Sequence, residues 1–294
     1  MCEHDDFEAF DRLVAQPRLT RRRFAQWGVG AGLAAAFPAF AGAADAPVGR
    51  DVEIRTPDGV ADAWFVHAES GRHPGVLIWP DIFGLRPAFK EMAGRLAGAG
   101  YAVLVVNPFY RARRTPAAPP RADQVDPSAR EDLIRLKDTL TAQTAQTDAR
   151  AFVAFLDQQP AVDTRRRIGA AGYCMGGPLV LRTAAALPDR IGAGASFHGG
   201  GLVTEQPDSP HRLIPKMKKA QFLIAIAEND DAKEPAAKDV LRDAFGHERI
   251  PAEIEVYRGA QHGWCPTDSR VYHPEQAEKA WSRMLELFGK ALAA

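Results

Sequence analysis

Runs of apolar residues alternate along the chain with longer amphipathic stretches. Asp51 to Thr56 and Val60 to Ala68 read as two strands joined by the turn Pro57-Asp58-Gly59. Gly75 to Pro80 and Tyr101 to Asn107 are continuous apolar runs, the pattern of strands buried on both faces of a parallel sheet. Between them Pro87 to Ala99 reads as a helix, with proline in its first turn and Gly100 closing it. Ser128 to Gln158 is helical, with a break expected near Thr147-Asp148. Ile168 to Gly172, Ile191 to Phe197, Gln221 to Ala227 and Ala252 to Tyr257 are further strands, and Pro235 to Phe245 and Pro274 to Phe288 are helices. Strand and helix in alternation predict an α/β fold with a mostly parallel sheet covered on both faces.

Two stretches break this rhythm. Pro108 to Pro127 is rich in proline, arginine and alanine and is too polar and too broken for a core. It follows the C-terminal end of a strand, the edge where open α/β sheets bind ligands, so it reads as a loop or lid over a site or as a surface excursion. Residues 1–43 differ in kind from the rest. Thr20-Arg21-Arg22-Arg23-Phe24 precedes a glycine- and alanine-rich apolar run, Trp27 to Ala41. That is the pattern of a twin-arginine export signal, read by the export machinery. Ala41-Gly42-Ala43, or Ala39-Phe40-Ala41, fits a small-residue cleavage site. The expectation is a periplasmic or secreted protein whose mature part is one domain, 44–294.

Composition narrows the picture. Of 294 residues, 46% are hydrophobic and 25% charged, and the 37 basic and 37 acidic residues cancel. No basic stripe suggests nucleic acid. Cys2, Cys174 and Cys265 are too few for a disulfide framework, no cysteine or histidine spacing suggests a metal site, and no cofactor motif is visible. Cys2 would leave with the export signal.

Candidate chemistry centres on Gly172-Tyr173-Cys174-Met175-Gly176-Gly177, between the strand Ile168 to Ala171 and the small-residue helix Leu179 to Leu187. A glycine-flanked turn between strand and helix describes a nucleophile elbow, with cysteine where serine usually stands. The helix N-terminus and the Met175 amide would favour a thiolate and a developing oxyanion. A thiolate needs a base, and the base an orienter. His262 follows one strand end, and Asp230 and Asp231 follow another, with Asp230 preferred as nearer its strand. Nucleophile, acid, histidine is the chain order of α/β-hydrolases. His198 also ends a strand, as a pocket-lining residue or a rival base. Cys265 reads as a packed, inert thiol; a bridge to Cys174 is the less favoured alternative.

Together these pieces resemble the dienelactone hydrolases (carboxymethylenebutenolidases), over nearly all of the chain from Asp51 onward. The resemblance implies an α/β-hydrolase fold with eight strands, a monomer, and a small ester or lactone as substrate. It implies a Cys174, Asp230, His262 triad acting through a thioester acyl-enzyme. Trp79-Pro80-Asp81-Ile82-Phe83-Gly84-Leu85 is similar to the family's segment of an acid followed by Ile-Phe-Gly. By that likeness Asp81 stands where a glutamate contacts the nucleophile, and the Ile82 amide joins that of Met175 in the oxyanion hole. Asn107-Pro108-Phe109-Tyr110-Arg111 is similar to the segment carrying an arginine for a substrate carboxylate, which makes Arg111 an anion binder beside Tyr110. His198 and Trp264 complete the expected substrate-binding set. The family's second arginine, shortly after the histidine, is missing from Gly263-Trp264-Cys265-Pro266-Thr267. Rival readings are a general carboxylesterase or thioesterase of the same fold and a non-catalytic periplasmic binding protein.

Overall fold

Gly75–Trp79 (β3) and Ala102–Val106 (β4) are buried at every position, as their unbroken apolar character requires. They lie inside an eight-stranded sheet with β1 (Pro47–Thr56), β2 (Gly59–Ala68), β5 (Ile168–Tyr173), β6 (Ile191–Phe197), β7 (Gln221–Ala227) and β8 (Ala252–Tyr257), in the order β1-β2-β4-β3-β5-β6-β7-β8. The structure is a computed structural model that describes residues 46–126 and 129–293. The export segment expected at 1–43 lies outside the described residues. β1 and β2 pair antiparallel, and β2 runs antiparallel to β4. The other five pairings, through β5, β6, β7 and β8, are parallel.

Helices cover both faces. α1 (Pro87–Gly98) packs on one face, where Phe89, Ala93 and Leu96 are fully buried. α2 is Arg130–Asp138 and α3 Ala142–Asp157. α4 (Gly176–Ala186) leaves the elbow and packs on the opposite face beside α3, with Phe152 and Val180 in one core. α5 (Glu228–Lys233), α6 (Ala237–His247) and α7 (Pro274–Ala291) follow, and α7 shares the face of α1. Among the described residues no helix is long and apolar enough to cross a membrane.

The chain after β3 turns to one face and the chain after β5 to the other, while the neighbours β3 and β5 stay in register, Trp79 opposite Gly172. A crevice opens at such a switch point, at the C-terminal ends of the strands. The proposed nucleophile stands at its lip.

Two expectations need correction, and one element was not foreseen. The helical stretch breaks at Thr139–Thr141, not near Thr147-Asp148. Thr141 Oγ1 accepts from the Thr144 amide at 3.1 Å, and Thr144 Oγ1 accepts from the Thr141 amide at 2.8 Å, a reciprocal cap that starts α3 there. Asp148 lies inside α3, fully buried, because Arg111, from the loop after β4, neutralises it. The 108–127 segment is not all surface: Phe109, Tyr110, Ala117 and Ala122 are buried, and Ala122–Gln124 forms a single 3-10 turn. The short helix α5 went unforeseen, because six residues, five of them polar, carry no apolar period.

Removing the cap tests the helix break. Thr141→Ala is expected to lower stability by about 1 kcal/mol, which for a domain of this size lowers Tm by roughly 2–4 °C, read by thermal unfolding, with α3 still helical by circular dichroism.

Candidate active site

The elbow is built by close approach. A Cβ on Gly172 would land on the Gly176 carbonyl, and one on Gly176 would land on the Trp79 carbonyl. Only glycine lets β5 turn so sharply into α4 while both lie against the end of β3. Cys174 at the tip has φ of 53°, the left-handed region a side chain normally avoids. The surroundings over-determine that conformation. The Cys174 amide donates to the Phe197 carbonyl at 3.0 Å and to His198 Nδ1 at 3.1 Å. The Cys174 carbonyl accepts from the Gly177 amide at 3.0 Å.

His262 meets this tip from the loop after β8. Its Nδ1–H donates to Asp230 Oδ2 at 2.8 Å, both side chains about one-fifth exposed. Asn229, the residue before Asp230, fixes the loop by accepting the His262 amide at 2.8 Å. Glu228 adds two more ties, its amide to the Ala260 carbonyl and its carboxylate to the Gly259 amide. The Asn229 contact was not anticipated; a polar side chain in a short helix gives no sequence signal for it. Asp231, the other candidate acid, is taken by Lys238 at 2.7 Å.

The two histidines at the site are driven apart. Burial pushes the His262 imidazole down, but the charges of Asp230 and Cys174, and hydrogen bonds to both, outweigh it and hold it well above the usual histidine range. His198 is 1% exposed. Burial, and then the charge of His262, hold it well below that range. Its Nδ1 accepts the Cys174 amide, so the neutral ring carries its proton on Nε2, where no partner is found among the described residues. His198 is therefore no rival base. Its ring stands edge-on to His262 with centroids 5.0 Å apart, a buttress rather than a proton carrier.

Two backbone donors lie near this corner, where the end of β3 comes up against the elbow. Ile82, 6% exposed, follows β3, and Met175, 7% exposed, follows Cys174. Among the described residues neither amide has a hydrogen-bond acceptor, although the neighbouring amides of Phe83 and Gly84 both do, on Asp81. Two unspent N–H groups at a helix N-terminus and a strand end suit an oxyanion.

Comparison with known proteins follows this geometry. The dienelactone hydrolase family profile matches residues 61–292. The chain belongs to that family. A carboxymethylenebutenolidase of Rhodococcus opacus is 26% identical over 245 residues, covering 81% of this chain and 90% of the relative. A solved structure named m3DLH superposes with a TM-score of 0.70 at 25% identity, over 84% of this chain and all of that one. The dienelactone hydrolase of Anabaena variabilis shares the fold, with a TM-score of 0.61 at 18% identity over 84% of this chain and all of that one.

The residues expected to bind substrate are placed otherwise. Arg111 is closed by carboxylates on both sides: it grips Asp148 bidentately at 2.8 and 2.6 Å and reaches Asp58 at 2.5 Å. Tyr110 spends its hydroxyl on Asp148 and Thr56, each at 2.7 Å. Trp264 is fully buried, stacked on Tyr257 and edge-on to His198. The likeness of local sequence could not reveal Asp148, which lies 37 residues further on.

Asp81 likewise spends its carboxylate elsewhere than on Cys174. It forms a bidentate pair with Arg86 at 2.6 and 2.9 Å, and Arg86 forms a second with Asp268 at 2.7 and 3.0 Å. All three are at most 5% exposed. Asp268 also accepts the Ala122 amide at 3.0 Å. Burial opposes the charge on Arg86, but Asp81 and Asp268 more than offset it. One guanidinium thus ties the loop carrying Ile82 to the loop carrying His262 and, through Asp268, to the Ala122–Gln124 turn. Neither Arg86 nor Asp268 stood out in the sequence. Cys265 is buried and free, and burial alone holds its thiol well above the usual cysteine range. Among the described residues no cluster could hold a metal ion.

Two measurements probe these contacts. Arg86→Met leaves two buried carboxylates unpaired and is expected to destabilise the fold by about 3–5 kcal/mol, read by urea unfolding. In NMR titration the His262 ring keeps its proton through neutral pH; Asp230→Asn moves that titration down, and Asp231→Asn leaves it in place. The sign for stability follows. A raised folded-state value stabilises fully below the unfolded histidine value of about 6.5, and the benefit fades as pH rises through the folded value. The stability gap between the native chain and Asp230→Asn therefore narrows in alkali.

Proposed function

We propose that this chain hydrolyses carboxylic esters or lactones through Cys174, His262 and Asp230. The observation that carries the reading is His262, fixed on Asp230 through Nδ1 and close enough to Cys174, at its glycine-flanked elbow, for the sulfur to act on the ring's titration. The relative named carboxymethylenebutenolidase and the family membership support the substrate class.

In this reading His262 holds the Cys174 proton, and the sulfur attacks the substrate carbonyl. The amides of Ile82 and Met175 take the oxyanion, each donor worth about 3 kcal/mol in the transition state. The carbon–oxygen bond breaks, His262 protonates the departing alkoxide or enolate, and a thioester remains. Water, deprotonated by His262, then attacks the thioester and releases the acid and the thiol. A thiolate is a good leaving group from a tetrahedral intermediate, so activated esters such as enol lactones suit it better than amides.

A second reading concerns charge. Arg111 is closed by Asp58 and Asp148, and Arg270 donates to the Asp123 carbonyl. Neither supports an anion clamp of the kind expected for a dienelactone carboxylate. The geometry favours a neutral ester or lactone, and a general carboxylesterase or thioesterase is the corresponding form of the enzyme. We also propose that residues 1–43 direct export by the twin-arginine route and that the mature domain acts as a monomer outside the cytoplasm.

Cys174→Ala is expected to abolish the burst and turnover with p-nitrophenyl acetate and with enol lactones while retaining the native circular dichroism spectrum. Wild-type-like hydrolysis by that variant would falsify the nucleophile assignment, and no burst from the native chain would favour a binding protein. Neutral lactones, carboxylate-bearing lactones and thioesters compared by kcat/KM rank the substrates, with the neutral ones expected to lead. For export, replacing Arg21 and Arg22 together by lysine is expected to leave the chain in the cytoplasmic fraction.

A further inference from the structure

A second space lies away from the nucleophile, on the sheet face covered by α1 and α7. It is a cavity of about 210 Å³ between those helices. Met92 of α1 and Trp281 and Met284 of α7 form its walls, Tyr173 and Phe197 its floor, and Cys265 one corner. An engineered apolar cavity of about 150 Å³ stays dry and binds benzene. Thioethers and aromatic faces are soft walls that suit a flat ring.

The interior offers no charge. Burial holds both the Tyr173 phenol and the Cys265 thiol neutral, well above their usual ranges. Charges stay at the rim and mostly cancel: Arg95 grips Glu278 bidentately at 2.7 and 2.5 Å and lies 4.2 Å over the Trp281 ring. The remaining rim charge is the carboxylate of Glu91, which repels anions.

The interior does offer one unspent donor. Tyr173 is 2% exposed, and no hydrogen bond to its hydroxyl is found among the described residues; only burial and Cys265 act on it. Tyr173 lines the cavity, so its hydroxyl can donate to a ligand acceptor placed there.

We propose that this cavity is a second binding site, for a neutral single-ring compound bearing one hydrogen-bond acceptor that Tyr173 meets. The site touches the catalytic corner from below. Tyr173 and Phe197 stack at 4.9 Å. They immediately precede Cys174 and His198, and the Phe197 carbonyl holds the Cys174 amide. The proposal does not depend on the reaction assigned above, and its test uses no turnover.

The native chain carries methionines at 1, 92, 175, 217 and 284, so methyl-13C methionine labelling gives a reporter at each place. Anisole, toluene and benzoate serve as probes. The Met92 and Met284 methyls are expected to shift saturably with anisole and to stay unmoved with benzoate. Toluene should bind roughly three- to tenfold more weakly, the ratio expected for one neutral hydrogen bond. Tyr173→Phe removes the preference for anisole while toluene still binds, and Ala277→Phe, which fills the rim, removes both responses. Met92 and Met284 methyls that do not move would overturn the site, as would shifts confined to Met175. An anisole preference that survives Tyr173→Phe would overturn the acceptor requirement.

Discussion

Arg86 decides how the loops around the Cys174 elbow are held. A guanidinium so deeply buried is tolerable only when its charge is met, and here two carboxylates meet it, each bidentately. Asp81 belongs to the loop that presents the Ile82 amide, and Asp268 to the loop that carries His262. Asp268 also holds the Ala122–Gln124 turn through the Ala122 amide. Ionic contacts among packed groups fix loop geometry where apolar contacts would let the loops slide. The acid that family likeness aimed at the nucleophile serves this clamp instead.

Under the proposed mechanism, proton traffic rests on a division between two histidines. They share one corner, ring edge to ring face, yet one is held protonated and the other neutral. The cause is local. His262 has an acidic partner and partial solvent access, whereas His198 has a backbone amide and full burial. A neutral His198 keeps a second positive charge away from the imidazolium while pinning the amide of a residue in a strained conformation. Divergent values in adjacent titratable groups are a mark of assigned acid and base roles.

Specificity is where this chain departs from the expectation its family sets. The arginine at the matching position is consumed by Asp58 and Asp148, in a cluster that ties the β1–β2 turn to α3. That cluster stabilises the far side of the sheet edge and leaves the crevice without a free guanidinium at that position. Family membership therefore carries the fold, whereas the proposed nucleophile and the substrate's charge rest on this chain's own geometry.

Much of this was legible in the residues. Unbroken apolar runs gave the buried parallel strands, because a strand covered on both faces must be apolar on both. Gly172 and Gly176 marked the elbow, because their missing Cβ atoms are what the close approach requires. The order Cys174, Asp230, His262 placed three groups past strand ends, and parallel topology alone brings such ends to one edge. What the sequence could not show was pairing between distant polar groups. Arg111 with Asp148, Arg86 with Asp268, and Asp231 with Lys238 are choices among many acids and bases, each with the same local signal. Periodicity reports only which face of an element is apolar. Which charge neutralises which, and so which arginine is left for a ligand, depends on distances that exist only once the chain has folded.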